Sequence, residues 1–124
     1  MRDYGVVAER LRAILARHVP PLVVTVDGPP VYSLSVDRND IPEPQRYFGG
    51  VRVGIRYVSF HLMPVYAFPD LLVDISPELR GRMQGKSCFN FTRVDEALLK
   101  ELADLTDRGI VRYRDLKLPI RNQS

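Results

Sequence analysis

The chain has 124 residues with 45% hydrophobic and 27% charged side chains, one cysteine, no tryptophan and a formal net charge of +3. That length suits one domain around one hydrophobic core, and the ordinary globular composition excludes wholesale disorder. A single cysteine excludes an internal disulfide and fits a reducing cytoplasm, while so small and scattered a charge excess disfavours nucleic acid as a partner.

Arg2, Asp3, Glu9, Arg10, Arg12 and Arg17 interrupt every apolar run near the start, so neither a signal sequence nor a membrane span is expected. Between Asp3 and His18, Val7, Leu11, Ile14 and Leu15 fall at helical spacing and predict an amphipathic helix. Pro20-Pro21 must stop it, because proline lacks an amide donor and disfavours helical geometry in the residue before it. Leu22–Val26 is short and β-branched, and Asp27-Gly28-Pro29-Pro30 turns it into a second extended run, Val31–Val36. Residues 37–46 are polar with two prolines and are expected to form an exposed loop.

Tyr47–Val53 is expected to turn through Gly54-Ile55-Arg56 into Tyr57–Met63 as an antiparallel hairpin. The second arm alternates strictly, so Val58, Phe60 and Leu62 point to one face and Tyr57, Ser59 and His61 to the other. After Pro64-Val65-Tyr66-Ala67-Phe68-Pro69 the chain is expected to turn. Ser76-Pro77 then reads as a helix start, a capping hydroxyl followed by proline, with the helix ending near Gly85. In Lys86–Phe91, Phe89 and Phe91 oppose Cys88 and Asn90, which predicts the last strand.

Thr92 with Asp95 resembles a capping box for a final helix. Its core stripe is Val94, Leu98, Leu102 and Leu105, its exposed pairs are Glu96–Lys100 and Asp104–Arg108, and Gly109 is its expected stop. The last few residues read as loose. This order lacks the regular alternation of a parallel sheet and predicts an α+β domain, an antiparallel sheet with helices mainly on one face and a core over about residues 5–118.

The frame Leu11-Arg12-Ala13-Ile14-Leu15, Asp27-Gly28-Pro29-Pro30-Val31-Tyr32, the hairpin through His61, and Gly85-Lys86-Ser87-Cys88-Phe89-Asn90-Phe91 before a leucine-rich helix resembles the YdhG-like domain-of-unknown-function family over residues 7–114. The resemblance implies a compact α+β fold and, for most members, no established activity. One branch includes bacterial frataxin-like proteins, described as iron chaperones, a role that needs a field of exposed carboxylates. Here the last helix offers Glu101, Asp104 and Asp107 with Lys100 and Arg108 interleaved, and no iron ligand is carried over.

Ser59 and His61 lie about 6.6 Å apart along the backbone with no acid in the run to orient the imidazole, which weakens a nucleophile–base reading. Cys88 would share the polar face with His61 if the two strands paired, and a thiolate beside a histidine is nucleophilic. His18 is too distant in sequence from His61 and Cys88 to suggest a metal site. Gly85-Lys86-Ser87 is not a phosphate loop, since Arg80 stands where the first glycine would be and a strand follows instead of a helix.

The resulting reading is a non-catalytic binding or interaction module, with no cofactor or metal, whose polar sheet-face pocket surrounds Ser59 and His61. Tyr57, Ser59, His61, Cys88 and Asn90 are the ligand-binding candidates, with Ser33 alongside. Arg52, Arg56 and Lys86, from a basic set that includes Arg80 and Arg82, are the anion-binding candidates. The partner is a small molecule or a protein, with a homodimer as one form of the latter. The alternatives are a small enzyme using His61 with Cys88 or Ser59, and frataxin-like iron handling.

Overall fold

The computed structural model describes residues 4–38 and 40–114. Asp3 of the expected first helix, residues 115–118 of the expected core and the expected loose end lie outside the described residues. The elements run α1 (Tyr4–Ala16), β1 (Val23–Asp27), β2 (Val31–Ser35), α2 (Glu43–Arg46), β3 (Tyr47–Val53), β4 (Val58–Leu62), α3 (Met63–Ala67), a 3-10 turn (Pro69–Leu72), α4 (Pro77–Arg80), β5 (Met83–Gln84), β6 (Cys88–Phe91) and α5 (Glu96–Arg114). The strands form one sheet in the order β1-β2-β3-β4-β6-β5, and every pairing is antiparallel. This is the expected α+β class.

The register explains which face is buried. Phe60 lies opposite Val51 on one side and Phe89 on the other, and Val58 lies opposite Phe91. These side chains share a face and are almost wholly inaccessible, as are Leu11 and Leu15 of α1 and Leu102 and Leu105 of α5, so the two long helices close over one apolar layer. Burying each Phe or Leu removes enough apolar surface from water to stabilise the fold by about 1.5–3 kcal/mol. Arg10 of α1 and Glu96 of α5 join the helices through two charge-assisted hydrogen bonds of 2.8 and 2.6 Å.

Several local expectations are corrected. Residues 37–46 are not simply an exposed loop, because Ile41 is only 5% exposed and Glu43–Arg46 turn once as α2. After β4 the chain continues as α3, with proline in its first turn, where the missing amide is harmless. The helix after Ser76 ends at Arg80 instead of near Gly85, leaving room for the edge strand β5. Asp95, not Thr92, supplies the α5 cap: its Oδ1 accepts the Leu98 amide at 3.2 Å.

Glu96 turns away from the expected Lys100 pairing to reach Arg10, and Leu99, 5% exposed, enters the core stripe more fully than Leu98. Gly109 does not stop α5 but lies inside it. A Cβ there would stand 2.9 Å from Pro64 Cβ, so the glycine lets α5 approach α3.

Candidate functional site

The same register that buries Phe60 turns its neighbours to the opposite face, which no helix among the described residues covers. There, Val31, Arg52, Ser59 and Asn90 form one cross-strand row, and Ser33, Gly50, His61 and Cys88 form the next. The expected sharing of one face by His61 and Cys88 is therefore present, since the two residues are direct partners across β4 and β6. Tyr57 precedes β4 instead of starting it, and its carbonyl accepts the Gly54 amide in the hairpin turn.

Asn90 organises the second half of this face. Its Oδ1 accepts from Ser59 Oγ at 2.8 Å and from Cys88 Sγ at 3.3 Å, and its Nδ2 donates to Gln84 Oε1 at 2.7 Å. Burial lowers the His61 pKa, and Arg52 lowers it further. Burial pushes the Cys88 thiol up, against a smaller lowering by its contact with Ser59. Both shifts favour the neutral pair, imidazole and thiol, over imidazolium and thiolate. Ser59 gives its proton to an amide, which is no base. The arrangement holds hydrogen-bonding groups still, but it does not activate a nucleophile.

Toward the hairpin the face deepens into a hollow of about 470 Å³ lined by Arg52, Gly54, Ile55, Arg56, Tyr57 and Ser59. The turn is tied to α1 by a hydrogen bond from the Tyr4 hydroxyl to the Arg56 carbonyl. Lys86, the third anion-binding candidate, is not there. It lies in the turn between β5 and β6 and lines a separate cleft with Arg80, while Arg82 faces a third depression beside Arg93.

Sequence reasoning missed Tyr47 as a site residue. A bulge between β2 and β3 places Tyr47 opposite Ser35, and so on the open face, while Phe48 enters the core with no exposed surface. The Tyr47 hydroxyl comes to rest above Gly50: a Cβ on Gly50 would meet it at 2.9 Å and the Tyr32 carbonyl oxygen at 2.5 Å. Burial, and secondarily the Cys88 thiol, push the Tyr47 pKa up to about 12. The broken alternation of Phe48-Gly49-Gly50-Val51 is the sequence signal for this arrangement.

Of the three carboxylates relevant to iron handling, two hold the fold together. Glu101 accepts from the Ser76 amide and hydroxyl, both at 2.6 Å, and Asp107 meets Arg17 at 2.5 Å and His18 at 3.0 Å. Among the described residues no group of three or more His, Cys, Asp or Glu side chains is placed to hold a metal ion. No helix among them is long and apolar enough to cross a membrane. No family model matches the chain, and no curated protein or solved structure matches it.

Proposed function

We propose that the chain is a non-catalytic binding module that takes a small anion into the hollow at the hairpin end of its open sheet face. The observation that carries this reading is the pair Arg52 and Arg56, which line a 470 Å³ hollow with Tyr57 and Ser59 and reach no carboxylate among the described residues. Arg10, Arg12, Arg17, Arg38 and Arg112, by contrast, each lie within ion-pair distance of one. Two guanidinium forks beside a hydroxyl suit a carboxylate or phosphate oxygen. His61, kept neutral by burial and Arg52, can accept or donate a hydrogen bond without adding charge. The same reading takes the chain as YdhG-like and places it in a reducing cytoplasm, where a lone thiol stays free.

Titration of the full chain with citrate and with inorganic phosphate, followed by calorimetry and thermal denaturation, tests the proposal. Citrate or phosphate should raise the melting temperature, and Arg52→Ala and Arg56→Ala should each weaken binding by about tenfold or more while leaving the ligand-free melting temperature within a few degrees. Equal binding by the variants would overturn it. Mass in solution should stay monomeric across concentrations; a dimer disrupted by Arg52→Glu would assign the face to a second copy instead.

A further inference from the structure

A second depression lies at the other end of the same strands, where β4 passes into α3 and β5 turns into β6. Its volume of about 900 Å³ falls within the ~300–1,000 Å³ typical of small-molecule sites. Met63, Val65, Leu72 and Met83 give it apolar walls, and the two methionines suit a site that adapts to its occupant. Arg80 and Lys86 also line it, and no carboxylate among the described residues does.

Three polar side chains line the cleft with hydrogen-bonding capacity left over among the described residues. Gln45 lines the cleft, and its Oε1 is buried with no hydrogen-bond partner among the described residues. Buried carbonyl oxygens are nearly always satisfied, so an orphan in a cleft wall marks the place of a donor. Tyr113, only 7% exposed, lines the same cleft; Phe48 and Phe68 hold its ring edge-on at 5.4 and 6.4 Å, and no partner within the described residues takes its hydroxyl. Arg80 gives one N–H to the Leu72 carbonyl at 2.5 Å, and no other acceptor among the described residues takes the rest of its fork.

We propose that this cleft binds an amphipathic carboxylate, an apolar chain or ring with an acid head and a hydrogen-bond-donating substituent on its body. The head is held by Arg80 and Lys86, the body lies against Met63, Val65, Leu72 and Met83, and the substituent donates to Gln45 Oε1. The apolar walls reject a bare inorganic anion, which would lose hydration without replacing it. Arg80 and Lys86, with no carboxylate beside them among the described residues, reject an amphipathic cation.

The test uses the full chain with decanoate, 10-hydroxydecanoate, decan-1-ol and decyltrimethylammonium below micelle-forming concentrations. Methyl resonances of Met63 and Met83 should shift on addition of decanoate. Decan-1-ol and the ammonium should bind at least tenfold more weakly. Lys86→Ala combined with Arg80→Ala should lower decanoate affinity at least tenfold, and Gln45→Leu should abolish any preference for the hydroxylated acid. If the double variant folds poorly, Lys86→Glu, in an exposed turn, gives the same readout. Arg52→Ala should leave decanoate binding unchanged, which separates this site from the hollow at the hairpin end. Equal affinity for decan-1-ol, or unmoved Met63 and Met83 resonances across the whole panel, would overturn the proposal.

Discussion

Gly109→Ala opposes helix propensity to packing, and the geometry decides which wins. Position 109 lies within α5, where alanine is favoured over glycine by about 1 kcal/mol. The added Cβ, however, would stand 2.9 Å from Cβ and 3.0 Å from Cγ of Pro64, against the ~3.5–4.0 Å of ordinary carbon contact. Pro64 is buried and its ring has no rotamer into which to retreat, so α5 must move away from α3 by roughly half an ångström or more. Overpacking of this kind costs about 1–3 kcal/mol.

The net expectation is therefore a loss of about 1 kcal/mol, seen as a urea midpoint lowered by roughly 0.5 M with the slope unchanged. In a Pro64→Gly background both opposing atoms are gone, and Gly109→Ala should then stabilise by about 1 kcal/mol, a sign reversal that a double-mutant cycle reads directly. Stabilisation by Gly109→Ala in the otherwise native chain would refute the claim that close approach of α3 and α5 requires glycine there.

Ser76→Ala removes the hydroxyl that accepts the Leu79 amide at 3.1 Å and donates to Glu101 at 2.6 Å, and equilibrium unfolding should show a loss of about 1–2 kcal/mol; a loss near zero would mean that water replaces both bonds. The folded pKa of His61 lies below its ordinary 6.5, so between those two values the unfolded chain binds more protons, and stability present at pH 7.5 is lost as the pH falls below 6.5. His61→Gln should flatten the stability profile between pH 7.5 and 5, and an unchanged slope would rule out this linkage. Burial raises the Cys88 pKa, so iodoacetamide at pH 8 should alkylate the folded chain more slowly than the urea-unfolded one. Faster alkylation of the folded chain would restore the reading of His61 and Cys88 as an enzymatic pair.

Elements with an uninterrupted period were legible in the chain. The alternation of Val58–Leu62 and Cys88–Phe91 placed Phe60 and Phe89 in the core and Ser59, His61, Cys88 and Asn90 on the other face, because a period of two leaves little freedom of register once one face is apolar. Short elements were legible only where a cap marked them: Ser76-Pro77 announced the start of α4, though not its end at Arg80. α2 and α3 hold four and five residues, below the length at which a period can declare itself, and form because buried neighbours such as Ile41 and Val65 anchor them. The site was half legible for a related reason. Alternation names the residues on a face, but only strand order reveals that Arg52 and Arg56 border Ser59 while Lys86 lies at the opposite end.

One residue joins the open sheet face to the cleft, and its placement follows from a single irregularity. The bulge beside Leu34 and Ser35 sends Phe48 into the core and Tyr47 across the open face, where Gly50 leaves room for the tyrosine hydroxyl. Tyr47 thereby closes the empty position opposite His61 and also forms a wall of the cleft that holds Arg80 and Lys86. Had β3 alternated without a break, Tyr47 would have shared the helix-covered face with Gly49 and Val51, and the cleft would have lost that wall. Gly50 is thus needed for backbone approach to Tyr32 and for the position of Tyr47 at once. A side chain there would disturb the open face and the cleft together, whereas changes at Arg52 or at Lys86 act on one end of the sheet alone.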